Sequence, residues 1–155
     1  MKYAIVVPTY NEESTIYSLL LKIRDLHSGP IIVIDDGSDK EISLSKNLKD
    51  IYILRNNKNK GKGYSILKGL SYSSKLGCSH SVTLDADNQH NPESISAFLD
   101  KGRESDLVLG YRSFKRPMPL HRVLSNKITT YIISKISGFN IKDSQTGYRL
   151  YKNSL

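Results

Sequence analysis

Apolar positions along this chain alternate between two periods. Tyr3 to Val7, Ile31 to Ile34, Ile51 to Leu54, Val82 to Leu84 and Leu107 to Leu109 are short, near-continuous apolar runs rich in β-branched residues. Runs of that kind read as strands buried on both faces. Between them apolar residues recur at helical spacing. Ile16, Leu19, Leu20, Ile23 and Leu26 follow Glu12, and Ile66, Leu67, Leu70 and Leu76 follow a glycine-bearing loop that ends at Gly63. Pro92 to Lys101 predicts a short helix, and Glu41 to Leu48 a weaker one. Asn11 or Ser14 is placed to cap the first helix, which has acids in its first turn and Lys22 and Arg24 near its end, as the helix dipole prefers. Gly29-Pro30 stops it. Strands alternating with helices predict an α/β fold, a Rossmann-like, mostly parallel sheet flanked by helices on both faces. There is no internal repeat, no low-complexity segment and no visible domain boundary.

The last third changes character. Gly110 to Pro119 is a basic loop with interleaved aromatics. A helical pattern then runs from about Leu120 to Ile136, with Leu120, Val123, Leu124, Ile128, Tyr131, Ile132 and Ile136 apolar and Arg122, Lys127 and Lys135 basic. Such a helix either packs on a core or lies at a bilayer surface. Most amphipathic helices pack, so core packing is the expectation. Gly138 ends the helix, and Asp143 to Arg149 follows.

Composition narrows the class. At 155 residues the chain holds one domain with a proper core. No apolar run approaches the roughly 20 residues that span a bilayer, and the N-terminus enters its first strand without a cleavable signal. One cysteine, Cys78, excludes an internal disulfide and fits a reducing, cytoplasmic compartment; it is expected as a small buried hydrophobe. The net charge of +8 favours anionic partners, whether phosphates, lipid headgroups or nucleic acid. The basic residues are scattered and form no nucleic-acid reader motif, so nucleic acid is not the expected partner.

Candidate chemistry lies where strands end. Pro8-Thr9-Tyr10-Asn11-Glu12, Asp35-Asp36-Gly37-Ser38 and Asp85-Ala86-Asp87 each follow a strand, and in a parallel sheet they converge on the carboxyl edge where ligands bind. On spacing alone Asp85 and Asp87 leave two readings open. One is a solvated turn that caps the next helix. The other is a site for a hard cation, Mg²⁺ or Mn²⁺. Carboxylates gathered on so basic a chain suit a site where a metal and cationic side chains hold a diphosphate.

VVPTYNEE, IIVIDDGSD, NKGKGYSILKGL, VTLDADNQHNPE, LVLGYR and DSQTGYRLY, in this order, resemble the family 2 inverting glycosyltransferases of the GT-A fold. Within them the chain is similar to the dolichyl- and polyprenyl-phosphate sugar synthases. The resemblance implies transfer of a hexose from a nucleotide sugar to a polyprenyl phosphate at a membrane surface, by a protein peripheral on the cytoplasmic face. It implies that Pro8, Tyr10 and Glu12 line the nucleoside pocket, and that Asp36 contacts base or ribose while Asp35 holds its turn. Gly61 and Gly63 would form a close-approach loop beside the nucleoside, with Lys62 a contact. Asp85 would lie near ribose and metal, Asp87 on the metal, and Gln89 as a third metal-side ligand. His90 would support the loop. Arg112, Arg122 and Arg149 would approach donor or acceptor phosphates, and Thr146 would bond the acceptor phosphate. The family's fold usually continues beyond DSQTGYRLY, so the resemblance implies a single catalytic domain over 1–155 without the usual C-terminal elements. Mannosyl synthases tend to show TSGF where this chain has Gln145-Thr146-Gly147-Tyr148, which leaves glucose or another hexose open. The alternatives are a family 2 transferase acting on a sugar hydroxyl in polysaccharide assembly, a nucleotidyltransferase, and a non-catalytic nucleotide-sugar-binding module. Against a nucleotidyltransferase stands VVPTYNEE, which is unlike a glycine-rich phosphate loop.

Overall fold

Strand β1 (Tyr3–Thr9) is the axis of a six-stranded sheet ordered β3-β2-β1-β4-β6-β5. A computed structural model describes residues 1–43, 48–87, 89–111 and 120–155, with the side chains of 120–123 outside the description. In chain order β1 is followed by α1 (Glu13–Leu26), β2 (Ile31–Asp35), β3 (Ile51–Arg55), α2 (Lys62–Lys75) and β4 (His80–Thr83). A 3₁₀ turn at Pro92–Ser94 then opens α3 (Ile95–Lys101), followed by β5 (Leu107–Leu109), α4 (Leu120–Ser137) and β6 (Arg149–Lys152). β1 pairs in parallel with β2 and β4, and β2 with β3, whereas β6 runs antiparallel to β4. The chain forms two compact units, one of residues 1–108 with 148–155 and the other of 109–147. Among the described residues no helix is long and apolar enough to cross a membrane.

Both faces of the larger unit's sheet are covered, as near-continuous apolar strands require. Ile5, Val7, Ile31 and Val33 meet Ile16, Leu19, Leu20 and Ile23 of α1 in one cluster. Ala4, Val6, Ile32, Ile34 and Cys78 form the other. Helix α2 departs from the expected pattern. Its buried positions are Ser65, Gly69 and Ser73, while Leu67 is 68% exposed. A Cβ at Gly69 would stand 2.3 Å from Val6 Cγ1, so the helix backbone lies nearly on the sheet and leaves no room for larger inward side chains. Ile66 and Leu70 fall to its flanks, half-buried.

Three further expectations change. The N-cap of α1 is Glu12, not Asn11 or Ser14, and it makes no side-chain cap bond. Asn11 instead adopts a left-handed φ of 56° and turns its side chain toward the loop after β2. Of the helix expected over Glu41–Leu48, residues 44–47 lie outside the described residues and the flanking positions are not helical; Ile42 is buried in the first core cluster. β6 appears in no apolar pattern because only Leu150 of Arg149-Leu150-Tyr151-Lys152 is fully buried.

In the smaller unit α4 reverses its expected orientation. Asn126 Nδ2 donates to Asp143 Oδ1 (3.0 Å), Thr130 Oγ1 shares a hydrogen bond with Ser144 Oγ (2.9 Å), and Ser134 Oγ donates to the Ile141 carbonyl (3.3 Å). These three positions, spaced by four, turn a polar seam inward against the returning chain. Of the apolar residues expected in a core, Leu124, Ile128, Tyr131, Ile132 and Ile136 are exposed, from Ile132 at 49% to Ile136 at 83%, and the side chains of Leu120 and Val123 lie outside the described residues.

Candidate functional site

Four loops meet at the carboxyl edge of the larger unit's sheet, and the first two are tied to each other directly. Asn11 Nδ2 donates to Asp39 Oδ2 (3.2 Å), Asp39 N donates back to Asn11 Oδ1 (2.9 Å), and Asn11 N donates to Ser38 Oγ (2.9 Å). Asp35 is fully buried, accepting from Ser38 N (2.9 Å) and from Arg55 Nη1 (2.5 Å). It closes the turn at the end of β2. Gly37 is required in that turn: its φ is 79°, and a Cβ would lie 2.7 Å from the Lys58 backbone.

Asp36 organises the basic loop. Its Oδ1 accepts from Asn56 Nδ2 (2.7 Å) and Lys60 N (3.0 Å), and its Oδ2 from Gly61 N (2.8 Å). Burial pushes the carboxyl up, but hydrogen bonds from Asn56, Lys60, Ser65 and Gly61 outweigh it and hold Asp36 below the usual aspartate value. Gly61 precedes α2 with φ 89°, a conformation that lets its N–H reach Asp36 at the helix entrance.

The loop after β4 carries the paired acids. Asp85 Oδ1 lies 2.5 Å from Lys62 Nζ, and its Oδ2 lies 3.3 Å from Nε2 of buried His90. Burial raises this carboxyl, yet His90 and Lys62 together bring it down to about 2. His90 in turn packs at 5.0 Å from the Tyr148 ring, which stacks on Phe98 and donates its hydroxyl to the Asn91 carbonyl (3.0 Å). Burial pushes the Tyr148 phenol well up. Thr15 Oγ1 donates to the Ala86 carbonyl (2.9 Å) and ties this loop to α1. Asp87 is exposed, and its Oδ1 accepts from Gln89 N (3.0 Å).

A cavity of about 330 Å³ opens among these loops. Pro8, Tyr10, Glu12, Asp36, Lys62, Asp85 and Asp87 line it, and so does Gly61. Gly63 lies in the first turn of α2 and Gln89 is exposed, both outside the lining. Arg149 lies on β6 opposite Thr83, with Nη1 3.4 Å from the Tyr151 hydroxyl, also outside the lining. Thr146 belongs to the smaller unit, where it is 1% exposed. Arg112 and the Arg122 side chain lie outside the described residues.

Thr9 was not singled out by its sequence position, yet it lines the cavity with a buried Oγ1 that has no hydrogen-bond partner among the described residues. A buried hydroxyl left unpaired costs about 1–3 kcal/mol, which a ligand atom in the cavity would relieve. The signal in the sequence was a hydroxyl at a strand end, between two residues already expected in the pocket.

Among the described residues no group of three or more His, Cys, Asp or Glu is arranged to hold a metal by itself. The donor set fits a different kind of site. Two hard carboxylates on one wall suit a Mg²⁺- or Mn²⁺-sized cation whose remaining positions are filled by ligand phosphates and water. Lys62 already brings a positive charge against Asp85.

Residues 4–155 match the family model described as glycosyl transferase family 2. The chain is 28% identical to the UDP-N-acetylglucosamine–dolichyl-phosphate N-acetylglucosaminyltransferase of Methanococcus voltae, over 97% of this chain and 69% of that protein. It is 26% identical to the undecaprenyl-phosphate mannosyltransferase of Micrococcus luteus, over 98% of this chain and 67% of that protein. In fold it is similar to glucosyl-3-phosphoglycerate synthase from Mycobacterium tuberculosis, solved with Mn²⁺, UDP and glucosyl-3-phosphoglycerate. The TM-score is 0.74 at 18% identity, covering 99% of this chain and 57% of that one.

Proposed function

The chain belongs to glycosyl transferase family 2, and from that premise we propose that it transfers a hexose, with inversion, from a nucleoside-diphosphate sugar to a polyprenyl phosphate at the cytoplasmic face of a membrane. The observation that carries this is the convergence of Asp36, Asp85 and Asp87 around one cavity at the carboxyl edge of the sheet. The relatives named for dolichyl- and undecaprenyl-phosphate transfer support the acceptor class.

Each residue then has a role. Pro8, Tyr10 and Glu12 form the wall of the nucleoside pocket, and Asp36 keeps the Gly61 backbone where the nucleoside approaches, with Thr9 Oγ1 and Gly63 beside it. Asp85 and Asp87, with Gln89 beside them on the same loop, would hold Mg²⁺ or Mn²⁺, which when bound would neutralise charge on the diphosphate. Lys62 offers that diphosphate a second positive charge. Arg149, on β6 of the larger unit, is assigned to a phosphate, a task suited to the guanidinium fork. A phosphate acceptor is ionised at neutral pH, so its oxygen needs positioning rather than a general base.

Nucleotide sugars of GDP, UDP and dTDP, each with and without Mn²⁺ or Mg²⁺, test the donor half by thermal shift. One nucleotide is expected to raise Tm in a metal-dependent way; no metal-dependent stabilisation by any of them rules the transferase out. Label from that donor is expected in chloroform-extractable polyprenyl-phosphate sugar. Label found only in water-soluble glycan would move the reaction to a sugar hydroxyl.

A further inference from the structure

Helix α4 exposes what most helices bury. At about 100° per residue Leu124, Ile128, Tyr131, Ile132 and Ile136 fall on one side of it, and they are 60%, 52%, 64%, 49% and 83% exposed. Phe139, just past the helix, is 75% exposed. The opposite side cannot be traded for this one. Asn126, Thr130 and Ser134 are bonded to Asp143, Ser144 and Ile141, and rolling the helix to hide its apolar side would break those bonds. So large an apolar surface with a satisfied polar back marks an interaction face.

Charge selects the occupant. Residues 120–142 contain no Asp or Glu, and Lys127, Lys135 and Lys142 are exposed along the same stretch. Lys135 falls among the apolar residues of that side, with Nζ 5.8 Å from the Tyr131 ring, and its long aliphatic stem lets the charge reach past them. Lys142 stands likewise 6.0 Å from the ring of exposed Tyr111. A second copy of this chain would bring lysines against lysines with no acid from this stretch to pair them. An anionic lipid surface answers both features, taking the apolar side chains below the headgroups and the ammonium groups at the phosphates.

We propose that the outward face of α4 lies flat on an anionic bilayer and holds the enzyme there. The proposal rests on the polyprenyl-phosphate reading above and deepens it by naming the element that meets the lipid. Flotation of the full chain with phosphatidylcholine vesicles, and with vesicles containing phosphatidylglycerol, tests it without donor or metal. Binding is expected only with phosphatidylglycerol. The triple variant Leu124→Ser, Ile128→Ser, Ile136→Ser is expected to weaken it at least tenfold, and Lys127→Gln with Lys135→Gln to weaken it and flatten its salt dependence. Both variants should keep the wild-type thermal shift with the nucleotide sugar, which certifies their fold. Equal binding to neutral vesicles, or undiminished binding by the triple variant, overturns the proposal. So does a wild-type dimer that the triple variant turns into a monomer while neither floats. Should anionic vesicles bind as expected while no nucleotide stabilises the protein, the transferase reading fails and the lipid-binding face stands.

Discussion

Asp87→Ala is expected to abolish metal-dependent donor binding and to lower transfer at least about 100-fold, with the fold intact. Asp87 is exposed and its carboxylate is bonded to the Gln89 backbone two residues on, so little of the structure depends on it. Exposed substitutions of this kind usually change stability by about 0.5 kcal/mol or less. The catalytic effect is far larger, because charge stabilisation through a metal contributes several kcal/mol and each 1.4 kcal/mol is about tenfold in rate. Asp85→Ala is a poorer probe, since it would also strip Lys62 and His90 of their shared partner. The measurement is the thermal shift with nucleotide sugar, with and without Mn²⁺, beside the rate with saturating acceptor. A variant that keeps its metal-dependent shift removes Asp87 from the metal site.

The second large effect lies at Asp36. Asp36→Ala is expected to destabilise the protein by about 1–2 kcal/mol, because it takes the shared acceptor from the buried Asn56 amide and the Lys60 and Gly61 N–H groups, leaving Asn56 only Ser65 Oγ and Gly61 only Asn59 Oδ1. Water can reach the two backbone groups, so most of the loss arises at Asn56. The loop carrying Gly61 and Lys62 would also lose its anchor, and donor affinity should fall with it. Acid titration gives an independent check. Asp36 is held below its ordinary value of 3.8 by its donors, against the opposing pull of burial. A depressed carboxylate stabilises the folded state in full above the unfolded value, and that stability is lost as pH falls through the folded one. Below about pH 4 the wild type should therefore lose stability more steeply than Asp36→Asn, by urea denaturation at stepped pH. Asp85 titrates low in both proteins and cancels from the difference. Parallel acid limbs would mean that Asp36 is not held in its charged form.

Strands β1 and β2 could be read from the chain because burial on both faces leaves an unbroken apolar run, and β3 shows a similar run although it is half-buried at the sheet edge. The convergence of the three acidic loops followed from parallel pairing alone. What stayed hidden depends on distance across the fold. α2 lies so close to Val6 that Gly69 and two serines, not its leucines, face the sheet. A hydrophobic count along one helix cannot register such an approach. α4 misled for the converse reason, since periodicity shows that two sides differ but not which one turns inward. Asp36 looked like a ligand contact, and its carboxylate also proves to carry a loop twenty-odd residues away. Only the fold brings those donors to it.

The place of β6 bears on how this molecule is made. It lies between β4 and β5, although it follows both of them in sequence. A ribosome that has released residues through Gly147 can have paired β3, β2, β1 and β4, but β5 still lacks its neighbour and the outer edge of β4 stands open. Open strand edges invite pairing with other chains, and partly assembled sheets are where aggregation begins. The nascent protein therefore stays vulnerable until Arg149 to Lys152 emerge and fill the gap between β4 and β5.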